Sequence, residues 1–238
     1  MNAELLKLRY LPTPRWTAAF VAGVVLVVGV VLLAVAPTDP DKYVSIPNST
    51  IGLVTAIAAM VFGVWLATLE FSAGTLQRTL TAEPDRNRVL AHKLLVVIAV
   101  AAIGGLLVAA SAGGLSHLAA DRAGVAIDDG DLAGQMFGSV PVWLSASVIG
   151  FGFGLLARSP GGGIAISLVF VLAFDGIISF IPGVQDYTYG QLTGDLTSNI
   201  GGSGQTQNGL AVAIVGTVAW CALILAPGWV RFLRGDLK

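Results

Sequence analysis

Cysteine, histidine and charge are all scarce in this chain. Its 238 residues hold one cysteine, Cys221, two histidines, His92 and His117, and a charged fraction of only 11%. A single cysteine excludes an internal disulfide and a thiolate metal cluster, and its place in an apolar run reads as a buried structural thiol. Two histidines in separate loops cannot share a metal, and no serine in the apolar runs has a histidine base beside it, which removes the simplest intramembrane hydrolase. Phosphate-binding loops are missing too. Gly201-Gly202-Ser203-Gly204-Gln205-Thr206 lacks the lysine of a P-loop. Gly150-Phe151-Gly152-Phe153-Gly154 lacks a third glycine at dinucleotide spacing and lies inside an apolar run. The expectation is a chain that is no enzyme, with no catalytic residue, metal or cofactor of its own and no nucleic-acid partner.

What is abundant is apolar sequence. Hydrophobic residues make up 55% of the chain and the mean hydropathy is +0.82. They gather into six runs, 17–36, 51–69, 94–115, 140–156, 164–181 and 210–230, each long enough to cross a hydrocarbon core of about 30 Å as a helix. The alternating segments of about ten residues that a membrane barrel needs are absent. The expected fold is therefore all-α: one polytopic membrane domain, residues 1–238, with six transmembrane helices.

All Lys and Arg except Lys42 and Arg122 fall before the first run, between the second and third, after the fourth or after the sixth. By the positive-inside rule that side is cytoplasmic, so both termini are expected inside and the protein in the cytoplasmic (inner) membrane. His92 and His117 then lie on opposite faces. The first run resembles a signal peptide ending at Ala34-Val35-Ala36, but its length and the Pro37 that follows argue for an uncleaved span. Residues 1–15, with Leu5, Leu8 and Leu11 on one stripe before Pro12 and Pro14, predict a short amphipathic helix on the inner leaflet. Residues 182–209 predict an extracellular loop with short re-entrant or surface helices. Gly104, Gly105, Gly150, Gly152 and Gly154 would let helices approach closely, with packing inside the subunit favoured over a dimer seam.

The most informative stretch is the charged island at 70–93. Continued as a helix past Leu69, it puts Leu69, Ala73, Leu76 and Leu80 on one stripe and Glu70, Gly74 and Arg78 on the other side. Glu70 and Arg78 are about 12 Å apart on such a helix, too far to pair, so each is expected to look elsewhere for a partner. An elbow with one greasy and one charged side suits protein docking; an ordinary solvated loop is the bland account.

Here the sequence resembles a family. Glu70-Phe71-x-x-Gly74-Thr75-Leu76-x-Arg78-x-Leu80-Thr81-x-x-Pro84-x-Arg86, followed by Ala91-x-Lys93, is similar to the first cytoplasmic loop of type-2 ABC exporter permeases. Glu4-x-x-Lys7-Leu8-Arg9 with Arg15-Trp16 resembles the family's N-terminal connecting helix, and Leu155-Leu156-Ala157-Arg158-Ser159 its fourth-to-fifth connection. The resemblance implies a half-transporter whose 70–93 loop is a coupling helix. A separate cytosolic ABC ATPase subunit would carry ATP and Mg, a second permease copy or paralogue would complete the pathway, and membrane lipids would surround it. The ATPase-coupling residues would be Glu70, Phe71, Gly74, Thr75, Leu76, Arg78, Leu80, Pro84 and Arg86.

The same resemblance places the substrate pathway between the second and fifth spans of opposing subunits. Candidate lining residues are Met60, Phe62 and Trp65 on the second and Phe170, Phe174 and Asp175 on the fifth, a set suited to lipid, drug or antibiotic cargo. They serve equally well as core or lipid-facing residues. Asp175 is the one acid in a predicted span, and such a group faces a wet cavity or a fixed partner. The alternative function is a non-transporting membrane scaffold or sensor that recruits a cytosolic partner through the same loop.

Overall fold

The computed structural model describes residues 12–75, 85–202 and 206–234, and among them every regular element is helical. The helices are α1 (Pro12–Val35), α2 (Lys42–Ser72), α3 (Arg86–Ala123), α4 (Asp129–Gly138) and α5 (Val140–Ala157). A broken helix follows: α6 (Pro160–Val169), a π-helical segment (Phe170–Phe174) and a last turn, α7 (Asp175–Ile178). A 3₁₀ turn (Gln185–Tyr187), α8 (Tyr189–Gly201) and α9 (Leu210–Arg234) complete the order. Six stretches are long and apolar enough to cross a membrane: α1, α2, α3, α4 with α5, the broken helix, and α9. The protein is an all-helical, multi-pass membrane protein.

The helices overrun the apolar runs. α2 begins at Lys42, inside the expected outer loop, and α3 reaches from Arg86 to Ala123, so His92 and His117 sit at opposite ends of one helix rather than in loops. Hydropathy marks only the part of a helix that meets lipid, while capping decides where it stops. Asp85 starts α3 by accepting from the amides of Asn87 (3.0 Å) and Arg88 (3.3 Å), and Asp128 starts α4 by accepting from Gly130 (2.7 Å). Pro12 and Pro14 occupy the first turn of α1, where a missing amide is harmless. The rest of the predicted amphipathic helix, residues 1–11, lies outside the described residues.

α5 is the centre of the bundle and has α2, α3 and α9 around it. Its contact with α2 is backbone on backbone. A Cβ on Gly150 would lie 2.0 Å from the Met60 carbonyl oxygen, and one on Gly63 would lie 2.0 Å from that of Ser147. Side chains fasten the same seam: Trp143 Nε1 donates to Thr55 Oγ1 at 2.9 Å and Ser147 Oγ to the Ala59 carbonyl at 3.1 Å. On another face of α5, Gly152 meets Gly228 and Ile224 of α9. The glycines of the fourth span thus serve packing within the chain. In a membrane, where burial of apolar surface gives little drive, such close approach and interhelical hydrogen bonds hold helices together. Large apolar side chains of α1, α3 and α9, among them Trp16, Val27, Leu107, Val215 and Leu223, remain exposed, as suits helices whose outer faces meet lipid.

At the end of the bundle away from the α2–α3 connection, Asp195 of α8 is a buried clasp. It is 2% exposed, and its carboxylate accepts from the Gln191 side chain, the Gln207 amide, and both the amide and side chain of Asn208, all at 2.8–3.1 Å. The chain leaving α8 is thereby pinned back onto it.

The α2–α5 seam gives a first test. Gly150→Ala forces two backbones apart and is expected to destabilise by about 1–3 kcal/mol, whereas Gly52→Ala, where a Cβ meets nothing within 4 Å, should be neutral or slightly stabilising. Thermal unfolding of both variants in detergent distinguishes the two outcomes.

Candidate functional site

Two regions carry polar chemistry: the elbow between α2 and α3, and a cavity near the opposite end of the bundle. α2 stops at Ser72 because Gly74 turns left-handed, with φ at +63°. The Gly74 amide bonds the Phe71 carbonyl (3.4 Å) and the Thr75 amide bonds that of Glu70 (3.1 Å), a Schellman closure that satisfies the final carbonyls. Of the coupling residues, Leu76, Arg78, Leu80 and Pro84 lie outside the described residues. Glu70, Phe71, Gly74, Thr75 and Arg86 flank the elbow.

Glu70 does not look outward for a partner. It is 2% exposed and its carboxylate lies 3.3 Å from the ammonium of Lys93 on α3, itself 3% exposed. Lys93 Nζ also reaches the Leu66 carbonyl at 3.5 Å. The expectation of an unpartnered charge considered one helix in isolation, whereas α3 returns antiparallel and brings its third turn against the last turn of α2. Two charges so thoroughly removed from water persist because each neutralises the other.

Around this pair the ends of four helices are tied together. The Arg86 guanidinium donates to the Leu233 carbonyl (3.0 Å) and more weakly to that of Phe232 (3.5 Å), at the C-terminal end of α9, where carbonyls lack helical partners and the dipole favours a cation. Arg158, just past α5, donates to the Arg231 carbonyl at 2.8 Å, and Arg231 returns a bond to the Leu156 carbonyl. Trp229 Nε1 donates to Asn87 Oδ1 at 2.9 Å. The Phe71 ring meets Phe232 edge-on at 5.9 Å, and the Arg158 guanidinium lies 5.9 Å from its centre. The result is a collar of α2, α3, α5 and α9 at the base of the elbow, and a load applied there is carried by all four.

The six candidate pathway residues do not share one surface. Met60 and Asp175 line a cavity of about 380 Å³ bounded by α2, α5, the broken helix and α8. Phe62 lines another, of about 300 Å³, with α1, α3 and Trp143, and Trp65 stands 5.8 Å from the Phe62 ring. Phe170 is buried in a cluster with Phe153, Phe174, Tyr189 and Trp220, so it is core. Phe174 stacks on it while remaining 45% exposed.

Asp175 opens the last turn of the broken helix, directly after the π segment, a kind of local widening often found at functional sites. Its Oδ2 accepts from the Gly190 amide at 2.9 Å, tying that turn to the start of α8. Tyr189 beside it is buried, and burial pushes its phenol well above the ordinary value. The Ser145 hydroxyl lies 3.0 Å from the Val142 carbonyl and 3.0 Å from the Tyr189 phenol, with which it shares a hydrogen bond.

His117 bridges two helices. Nδ1 lies 3.1 Å from Asp121 on α3 and Nε2 3.2 Å from Asp129 on α4. Among the described residues no group of three or more His, Cys, Asp or Glu side chains is placed to hold a metal ion.

Sequence reasoning passed over Lys93, Asn87, Arg158, Arg231 and Trp229 as members of the elbow base. A signal was present for Lys93: a cation where a span begins requires a partner. Arg158 and Arg231 act through main-chain carbonyls of α9 and α5, and Asn87 and Trp229 pair with each other across helices far apart in sequence, which no residue pattern announces. In comparisons with protein-family models, with curated proteins and with solved structures, the chain matches none.

The buried pair is testable by a double-mutant cycle. Lys93→Met alone leaves a buried carboxylate without its counter-charge and is expected to destabilise by about 3–5 kcal/mol. Adding Glu70→Leu should restore most of that loss, which thermal unfolding of the three variants would measure.

Proposed function

We propose that this chain is the membrane half of an ATP-driven exporter similar to type-2 ABC permeases, with the 70–93 elbow docked on a separate cytosolic ATPase that binds ATP and Mg. The supporting observation is the collar: the base of the elbow is joined by a buried ion pair and by arginine–carbonyl bonds to α2, α3, α5 and α9. A flexible loop could recruit a partner but would dissipate a push. An elbow on a stiff base passes displacement into the helices, and α5 hands it to α2 along a seam with no slack. The charge asymmetry supports the orientation, with the elbow and both termini on the cytoplasmic side of the inner membrane. A second permease copy or paralogue would complete the pathway, and the mixture of apolar and polar walls in the Asp175 cavity suits an amphipathic cargo.

Docking then rests on the elbow tip and not on Glu70. Purification in a gentle detergent is expected to retain a stoichiometric nucleotide-binding subunit. Arg78→Glu and Leu76→Asp should each reduce that retention at least tenfold without lowering the unfolding temperature of the membrane chain. Failure to retain any ATPase, or full retention by both variants, would overturn the reading. An ATPase held without nucleotide-dependent movement of cargo would make the chain a scaffold instead.

A further inference from the structure

The cavity of about 380 Å³ between α2, α5, the broken helix and α8 has two unlike walls. Gly52, Leu53, Ala56, Ile57 and Met60 of α2 make one wall apolar. The other carries Asp175 and several hydroxyls, three of which direct their protons to main-chain carbonyls. Ser139 Oγ donates to the Met136 carbonyl (2.6 Å), Thr193 Oγ1 to that of Tyr189 (2.8 Å) and Thr197 Oγ1 to that of Thr193 (3.1 Å). A hydroxyl that spends its one proton on the main chain can offer a visitor only lone pairs. The Tyr189 phenol is paired with the Ser145 hydroxyl. Asp175 Oδ2 accepts from the Gly190 amide, the Tyr189 amide also lies against the carboxylate, and Oδ1 is buried with no hydrogen-bond partner among the described residues. Among the described residues no lining side chain is basic, and the Asn48 carboxamide is the one with amide donors to give.

A cavity of acceptors around a carboxylate, backed by an apolar wall, is complementary to one chemistry. We infer that it is a binding site for an amphipathic ammonium: an N–H-bearing cation set against Asp175 and the Thr193 and Thr197 oxygens, on an apolar body lying along α2. An alcohol of the same length would lack the charge, and a quaternary ammonium would lack the donors. The volume falls in the range of small-molecule sites. Binding of this kind does not depend on the ATPase; if the chain is an exporter, the site names the class of its cargo.

Two glycines on the wall permit a clean test. A Cβ at Gly52 or Gly194 would meet nothing within 4 Å, so Gly194→Leu adds bulk on the cavity wall at a position where the backbone has room for a side chain. The full chain is placed in phosphatidylcholine nanodiscs and titrated at neutral pH with decylammonium, decyltrimethylammonium and decanol, with the unfolding temperature as readout and no ATPase added. Decylammonium should give a saturable rise in the wild type, decyltrimethylammonium at least a tenfold weaker response and decanol none that saturates. Asp175→Asn should weaken decylammonium at least tenfold, and Gly194→Leu should abolish its effect. Equal responses to the three probes, or a wild-type response in Gly194→Leu, would overturn the site. Unweakened decylammonium binding in Asp175→Asn would overturn the role of the carboxylate and with it the inference. Should Asp175→Asn fail to fold, the three-probe comparison and Gly194→Leu decide alone. The same cation is presented by a free amine and by an ethanolamine headgroup: competition by phosphatidylethanolamine added to the nanodiscs assigns the lipid source, and no competition assigns the free amine. Absence of binding would leave ATPase retention by the elbow untouched, and the converse holds.

Discussion

The contact between the backbones of α2 and α5 is the constraint on which the other helices depend. Where Gly63 faces Ser147 and Gly150 faces Met60, no side chain stands between the two helices. Their separation is therefore set by main-chain atoms, which do not change rotamer. Trp143 and Ser147 of α5 then find Thr55 and Ala59 of α2 within hydrogen-bond reach. α5 has further glycine surface to offer α9 at Gly152. One helix rich in glycine thus fixes the position of two others, and the remaining elements fill in around that trio.

From this seam the structure has two ends of opposite character. The elbow end is saturated with connections: an ion pair, arginines on carbonyls, and an indole on an amide, each linking different helices. The other end is built from a partly open cavity, a broken helix with a π segment and a short helix, α8, clasped by its own aspartate. Dense connection at one end and room to rearrange at the other is the division that the proposed exporter reading calls for.

The fold class was legible because six long apolar runs in one chain have few other solutions. Packing within the chain was legible in outline from the glycines, although which glycine met which helix was not. Helices extend past the apolar runs where an N-cap or a left-handed glycine sets their ends, as at Arg86 and Ala123. The site was legible in location but not in wiring. Glu70 looked like a docking charge because one helix in isolation cannot show what α3 brings beside it, and Phe170 looked like a lining residue because an aromatic in a span reads the same whether it faces a pathway or a core. Asp175 was conspicuous in the sequence, but the acceptor character of the wall beside it emerges only once the protons of Ser139, Thr193 and Thr197 are traced to their carbonyls.

The arginine contacts with α9 also bear on how the molecule is made. Synthesis proceeds from the N-terminus, so α2 and α3 can insert and join their charges while much of the chain is still to come. Arg86 and Arg158 must wait, since the carbonyls they hold belong to residues 231–233, in the last turn of α9. Until that turn emerges, a nascent chain would have its elbow without the ring that stiffens it. The collar therefore closes only after α9 is made, and a partner that grips the elbow only when its base is rigid would distinguish chains that have α9 from chains that do not.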